Sequence, residues 1–178
     1  MKDFYNYAIH KAHQELILAV TESIQAPNDK PELENVHYRL ISLLHWSVDC
    51  WDRIRVYRKL FNAAPDSFSA DCDFMDAFRR INNRVKHDKA FLIVSRRVQG
   101  YRFPINLSEP LRFGPPELYW KHVPPDDEES KCKKEKTREY RMHLVDLYML
   151  HLSEKPLLST CEQMVMIIDK YIVSIPEC

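Results

Sequence analysis

Three side chains in the stretch RINNRVKH, residues 80–87, have the types and spacing needed to act on a phosphate. An α-helix would place Arg80, Asn83 and His87 on one flank, because they are three and four residues apart. Arg offers a planar fork of donors that matches phosphate oxygens, His exchanges a proton near neutral pH, and Asn can orient either group. We therefore predict a site for RNA cleavage without a metal. His87 would help to remove the proton of a 2′-hydroxyl, and Arg80 would stabilise charge on the phosphorus oxygens.

The residues around these three are strongly basic. Between positions 79 and 102 the chain has eight Arg or Lys residues and one acidic residue, although its formal net charge is +0. The residues predicted to bind the substrate are Arg84, Lys86, Arg96 and Arg97. Tyr101 and Phe103 lie in the same stretch and could stack on bases, so RNA is the predicted ligand. An alternative explanation is that Arg96 and Arg97 protect an exposed edge strand from aggregation.

The motif Arg80-Ile-Asn-Asn-Arg-Val-Lys-His87 resembles that of the HEPN superfamily, in which a helical bundle carries Arg, four to six residues and His. As in many such proteins, Asn and Lys stand close to the His. The resemblance implies a cytoplasmic homodimer with paired sites at the subunit interface. It also implies metal-independent endoribonuclease activity in active members, often within toxin–antitoxin or antiviral defence systems.

Other interpretations of the same residues remain open. Two further segments fit the spacing, one from Arg39 to His45 and one from Arg138 to His143. If the motif is anchored on Asn83 instead, Asn82 occupies the position of the Arg, which predicts a non-catalytic member that holds a protein partner. Arg80 could also form an ordinary ion pair with Asp76, four residues earlier.

The predicted elements that would position these residues are mainly helices. The chain has only two glycines, and apolar residues recur at three- and four-residue steps through most of its length. Predicted helices cover residues 3–25, 31–62, 70–89, 137–154 and 156–175. Residues 91–97 and 101–107 predict a β-hairpin around Gly100, and 108–136 a long loop. The predicted class is all-α, a four- to five-helix up-down bundle with a β-hairpin insertion after the third helix.

Length and composition narrow the classes of protein that fit. The 178 residues suit one domain, 1–178, with an insertion at about 90–136. No stretch approaches the ~20 apolar residues of a membrane span, and the apolar run LILAV is too short for a signal peptide. The five cysteines show neither a disulfide framework nor a CxxC site. We expect a cytoplasmic protein that needs no metal and no cofactor.

Overall fold

The computed structural model describes residues 2–25, 30–61, 68–86, 94–97, 117–126 and 134–173. Within these ranges the chain forms five α-helices and one two-stranded sheet, which confirms the predicted all-α class. The elements are α1 (Lys2–Gln25), α2 (Lys30–Phe61), α3 (Phe68–Lys86), β1 (Val94–Arg97), β2 (Glu117–Trp120), α4 (Glu135–His151) and α5 (Leu157–Ile172).

Helices α1 and α2 pack antiparallel. Tyr5 donates a hydrogen bond to Asp49, and Arg39 pairs with Glu15 at 2.7 Å, so the two helices run in opposite directions. The predicted apolar stripes are the buried ones: Tyr5, Ile9, Ala12, Leu16, Ala19 and Val20 on α1, and Val36, Leu40, Leu44, Val48 and Trp51 on α2. Fully burying one such large side chain contributes about 1.5–3 kcal/mol, so these stripes hold the two helices together.

Helix α3 lies antiparallel to α2 and buries the stripe that its sequence predicts. Phe74, Ala77, Phe78 and Ile81 are all buried. Asp76 pairs with Arg55 at 2.8 Å, and Arg79 pairs with Asp52, so residues 76 and 79 lie opposite 55 and 52. Helix α3 also contacts α4, so one face of it is covered by the C-terminal part of the chain.

The sheet differs from the predicted hairpin. Strand β1 pairs antiparallel with β2, with Val94 opposite Trp120 and Arg97 opposite Glu117. The prediction that 117–120 belongs to a loop is wrong, because Leu118 and Trp120 alternate with outer residues and bury their side chains. The predicted second strand, 101–107, lies outside the described residues. The insertion therefore returns to the bundle along β2.

Trp120 anchors β2 to the turn between α4 and α5. Its backbone N–H donates to Lys155 O at 3.1 Å, and its backbone carbonyl accepts from Glu154 N–H at 2.9 Å. Glu154 has a φ of 61°, a left-handed conformation that non-glycine residues adopt only when contacts hold them there. The Trp120 indole is fully buried and donates to Thr160 Oγ1 at 2.7 Å. The predicted break at Pro156 is thus also the place where the insertion is fastened.

Among the described helices, none is both long and apolar enough to cross a lipid bilayer. That the protein is cytoplasmic and that it forms one domain both stay predictions.

Removing the indole donor should weaken the fold. Trp120→Phe loses the hydrogen bond to Thr160 and part of a fully buried ring, so we expect the free energy of unfolding to fall by about 2–4 kcal/mol. Urea denaturation followed by circular dichroism measures this change. Tyr140→Phe, at an exposed position of α4, is the control and should stay within about 0.5 kcal/mol of the wild type. Equal stability of both variants would contradict the anchoring role of Trp120.

Candidate functional site

Arg80 is buried and binds the segment that follows β2. Only 2% of its surface is exposed. Its Nη1 donates to Val123 O at 2.8 Å and its Nη2 donates to Pro124 O at 3.0 Å. Its guanidinium also lies over the ring of Tyr148, 5.0 Å from the centroid. The residue predicted to contact phosphate therefore joins α3 to segment 121–126 and to α4.

These contacts explain how a permanent cation is tolerated in the interior. A buried charge costs free energy unless hydrogen bonds and favourable dipoles compensate it. Two carbonyl oxygens and the electron-rich face of Tyr148 provide this compensation for Arg80. The Tyr148 hydroxyl itself donates to Lys121 O, and burial raises the pKa of this tyrosine. Tyr148 therefore stays neutral and helps to hold the same segment.

Arg84, one turn further along α3, binds the same segment. Its Nη1 lies 2.7 Å from Asp126 Oδ2, and the two side chains are only 13% and 25% exposed. A partly buried ion pair of this kind is screened less by solvent than a surface pair. Arg80 and Arg84 are thus brought together, but around residues 123–126 of their own chain.

Neither Asn83 nor Lys86 joins this cluster. Asn83 and Lys86 are exposed, and His87 lies outside the described residues. Arg96 and Arg97 belong to β1, where their backbones pair with Leu118 and Glu117, and nothing is described of their side chains. The geometry of the predicted Arg80–His87 pair therefore stays a prediction, while the environment of Arg80 is established.

The alternative ion pair between Asp76 and Arg80 is wrong. Asp76 binds Arg55 and Arg79 instead, at 2.8 and 3.0 Å. A residue that the sequence did not single out for burial is Asn82. It is 2% exposed, and its Oδ1 has no hydrogen-bond partner within the described part of the chain. The polar stretch 82–84 thus has one buried, one exposed and one ion-paired residue.

The other two segments with the Arg and His spacing differ in setting. Arg39 binds Glu15 and lies over the Tyr38 ring, 5.4 Å from its centroid. His45 is exposed and lines a surface groove with a volume of about 490 Å³. Arg138 and His143 are both exposed on α4. In neither segment does a contact within the described residues join the Arg to its His.

The groove beside His45 is a surface cavity near the end of α3. Its lining consists of Tyr38, Ile41, Ser42, His45, Trp46 and Asp49 from α2 and Lys86 from α3. Trp46 is partly buried, and its ring meets that of Phe4 edge-on with 5.3 Å between centroids. The groove therefore combines an aromatic wall with one lysine and one histidine.

Burial shifts the pKa of several thiols and histidines in the described part of the chain. Burial raises the pKa of Cys50 to about 12 and also raises that of Cys161, so both thiols stay protonated at neutral pH. Burial lowers the pKa of His13, His37 and His151. Across the described ranges, no group of three or more His, Cys, Asp or Glu residues is arranged to hold a metal ion.

Comparison of the chain with protein-family models, with curated proteins and with solved structures gave no match. The resemblance to HEPN proteins therefore stays a prediction, and the function has to be argued from the contacts themselves.

Replacing Arg80 should weaken the fold as a whole. Arg80→Leu leaves two carbonyl oxygens without their donors, so we expect the free energy of unfolding to fall by about 2–4 kcal/mol. Arg80→Lys should lose less, because the ammonium keeps a positive charge and a donor although it lacks the planar fork that reaches both carbonyls. Asn83→Ala, exposed on the same helix, is the matched control and should stay within about 0.5 kcal/mol of the wild type. If Arg80→Leu unfolds at the same urea concentration as the wild type, the contacts of Arg80 do not contribute to stability.

Stability should also depend on the protonation of His37. This partly buried imidazole has an Nε2 without a hydrogen-bond partner in the described residues, and burial lowers its pKa below the ordinary value of 6.5. The unfolded chain therefore binds the proton more tightly, and stability falls as the pH drops from 6.5 towards the folded-state pKa. The urea concentration at the midpoint of unfolding should fall between about pH 7 and 5.5, and we expect it to fall less in His37→Gln than in the wild type. The exposed His143→Gln should keep the wild-type slope, and a His37→Gln slope identical to it would contradict this account.

Proposed function

We propose that this chain is a non-catalytic HEPN-like helical module that holds a protein partner on the outer face of α1 and α2. The observation that carries the proposal is the position of Arg80. Its guanidinium donates to Val123 O and Pro124 O and contributes to the bundle instead of facing a ligand.

This position is unfavourable for the predicted ribonuclease chemistry. A guanidinium that stabilises charge on a phosphate has to direct its N–H groups at the phosphate oxygens. Two of the Arg80 nitrogens are directed instead at carbonyls of the same chain, 2.8 and 3.0 Å away. Freeing them would release the carbonyls of Val123 and Pro124 and break the Tyr148 contact. Asn83, the predicted orienting group, is exposed while Arg80 is buried, so the two do not share an environment.

The outer face of α1 and α2 has the composition of a protein interface. Phe4 is 55% exposed and Tyr38 66% exposed, and Tyr7 and Leu18 are also exposed on α1. Aromatic side chains are enriched at interfaces, because they bury a large area at a small cost in conformational entropy. We infer from these exposed apolar side chains that this face of the bundle binds a partner.

RNA binding, with or without cleavage, is the second candidate, and one contact favours it. Arg84 holds the carboxylate of Asp126 at 2.7 Å, as a guanidinium would hold a phosphate. Lys86 is exposed at the same end of α3, immediately before His87. An RNA-cleaving protein of a toxin–antitoxin or antiviral system would use this end of the helix, and a homodimer would pair two such ends.

An RNA cleavage assay separates the two candidates. The purified chain is incubated with structured RNA in the presence of EDTA, alongside His87→Ala prepared in the same way. We expect no difference between the two proteins, because Arg80 is committed to the fold. Chelator-resistant cleavage by the wild type that His87→Ala abolishes would overturn the non-catalytic proposal. RNA binding that weakens steeply with salt, without cleavage, would favour RNA over a protein as the partner.

A further inference from the structure

The groove on α2 is long enough for a helical segment of a partner. We call it the α2 groove and define it by Tyr38, Ile41, Ser42, His45, Trp46, Asp49 and Lys86. Its α2 members recur at three- and four-residue steps from Tyr38 to Asp49, so they follow one flank of the helix for about three turns, or roughly 16 Å. A partner helix of about the same length has room to lie alongside these residues.

The apolar part of the α2 groove is aromatic and open. Tyr38 is 66% exposed, and the partly buried Trp46 is supported from behind by the edge of Phe4. The α2 groove therefore has one largely exposed ring, beside the Arg39 guanidinium, and one ring that is held in place. This arrangement suits large apolar side chains of a partner, which gain most when they displace water from rigid rings.

The charge that remains uncompensated in the α2 groove is positive. Asp49 accepts a hydrogen bond from Tyr5 and pairs with Arg53 at 3.5 Å, so its carboxylate is already matched. Lys86 has no ion pair among the residues that the structure describes. The antiparallel register fixed by Asp76 with Arg55 and by Arg79 with Asp52 places Lys86 opposite His45. An acidic partner residue would therefore be the most favourable one beside Lys86.

We propose that the α2 groove binds an amphipathic α-helix of about three turns, with large apolar residues against Tyr38 and Trp46 and an Asp or Glu against Lys86. This inference rests on the proposed function and specifies its partner. A helix fits better than an extended peptide, because the backbone groups of α2 are hydrogen-bonded within the helix and offer no strand edge. RNA fits less well, because the α2 groove has a single lysine and therefore provides little positive charge for a phosphate backbone.

The test uses a phage-displayed library of short helical peptides with randomised faces, selected on the full-length wild-type chain and counter-selected on Tyr38→Glu. We expect the selected peptides to carry apolar residues at helical spacing and at least one acidic residue. Fluorescence anisotropy should show that Tyr38→Ala weakens their binding about tenfold or more. Tyr140→Ala, exposed on α4 and outside both the α2 groove and the outer face of α1 and α2, is the matched control and should leave the affinity unchanged.

A charge reversal tests the acidic contact separately. Lys86→Glu should weaken the binding of an acidic peptide, and replacing the acidic residue of that peptide by Lys should restore it. Failure to select peptides, or selection of peptides insensitive to Tyr38→Ala, would overturn the α2 groove assignment. Peptides insensitive to Tyr38→Ala would still leave a protein-binding function at another surface. EDTA-resistant RNA cleavage that His87→Ala abolishes would instead overturn the proposed protein-binding function. Concentration-dependent dimerisation that Tyr38→Ala abolishes would identify a second copy as the occupant and also overturn the assignment.

Discussion

The structure around the candidate site depends on one interaction, the pair of hydrogen bonds from the Arg80 guanidinium to Val123 O and Pro124 O. Segment 121–126, after β2, has no regular structure, so the carbonyls of Val123 and Pro124 have no donors within a helix or a strand of their own. Arg80 provides both carbonyls with a donor from one side chain, and Tyr148 and Arg84 bind the same segment at Lys121 and Asp126. Arg80, which the sequence predicts to contact a phosphate, therefore acts as part of the fold.

A consequence is that the insertion and the bundle stabilise each other. Strand β2 contributes only four residues, but Trp120 joins it to Phe78, to Thr160 and to the turn before α5. Arg80 and Arg84 of α3 then bind segment 121–126. Losing either anchor should loosen both ends of this connection, because hydrogen-bonded networks of buried groups depend on every member.

The sequence predicts those features of the fold that depend on local spacing. The apolar stripes of α1, α2 and α3 follow from helical periodicity, and the break at Pro156 follows from the geometry of proline. Contacts between distant residues do not follow from spacing. Nothing within a few positions of Arg80 indicates that its partners are two carbonyls more than forty residues away. Asp76 likewise binds Arg55 across helices instead of its near neighbour Arg80. The same limitation led to the wrong assignment of 117–120 as loop, since strand pairing joins segments that the sequence keeps apart.

The central claim is that Arg80 serves the fold by holding segment 121–126. Hydrogen–deuterium exchange of wild type and Arg80→Lys under native conditions tests it most directly, because it reports on each segment separately. We expect faster exchange for peptides that cover residues 118–126 in Arg80→Lys, with exchange in α1 unchanged. Exchange in 118–126 that is the same in both proteins would contradict the claim and return Arg80 to the list of residues available for a ligand.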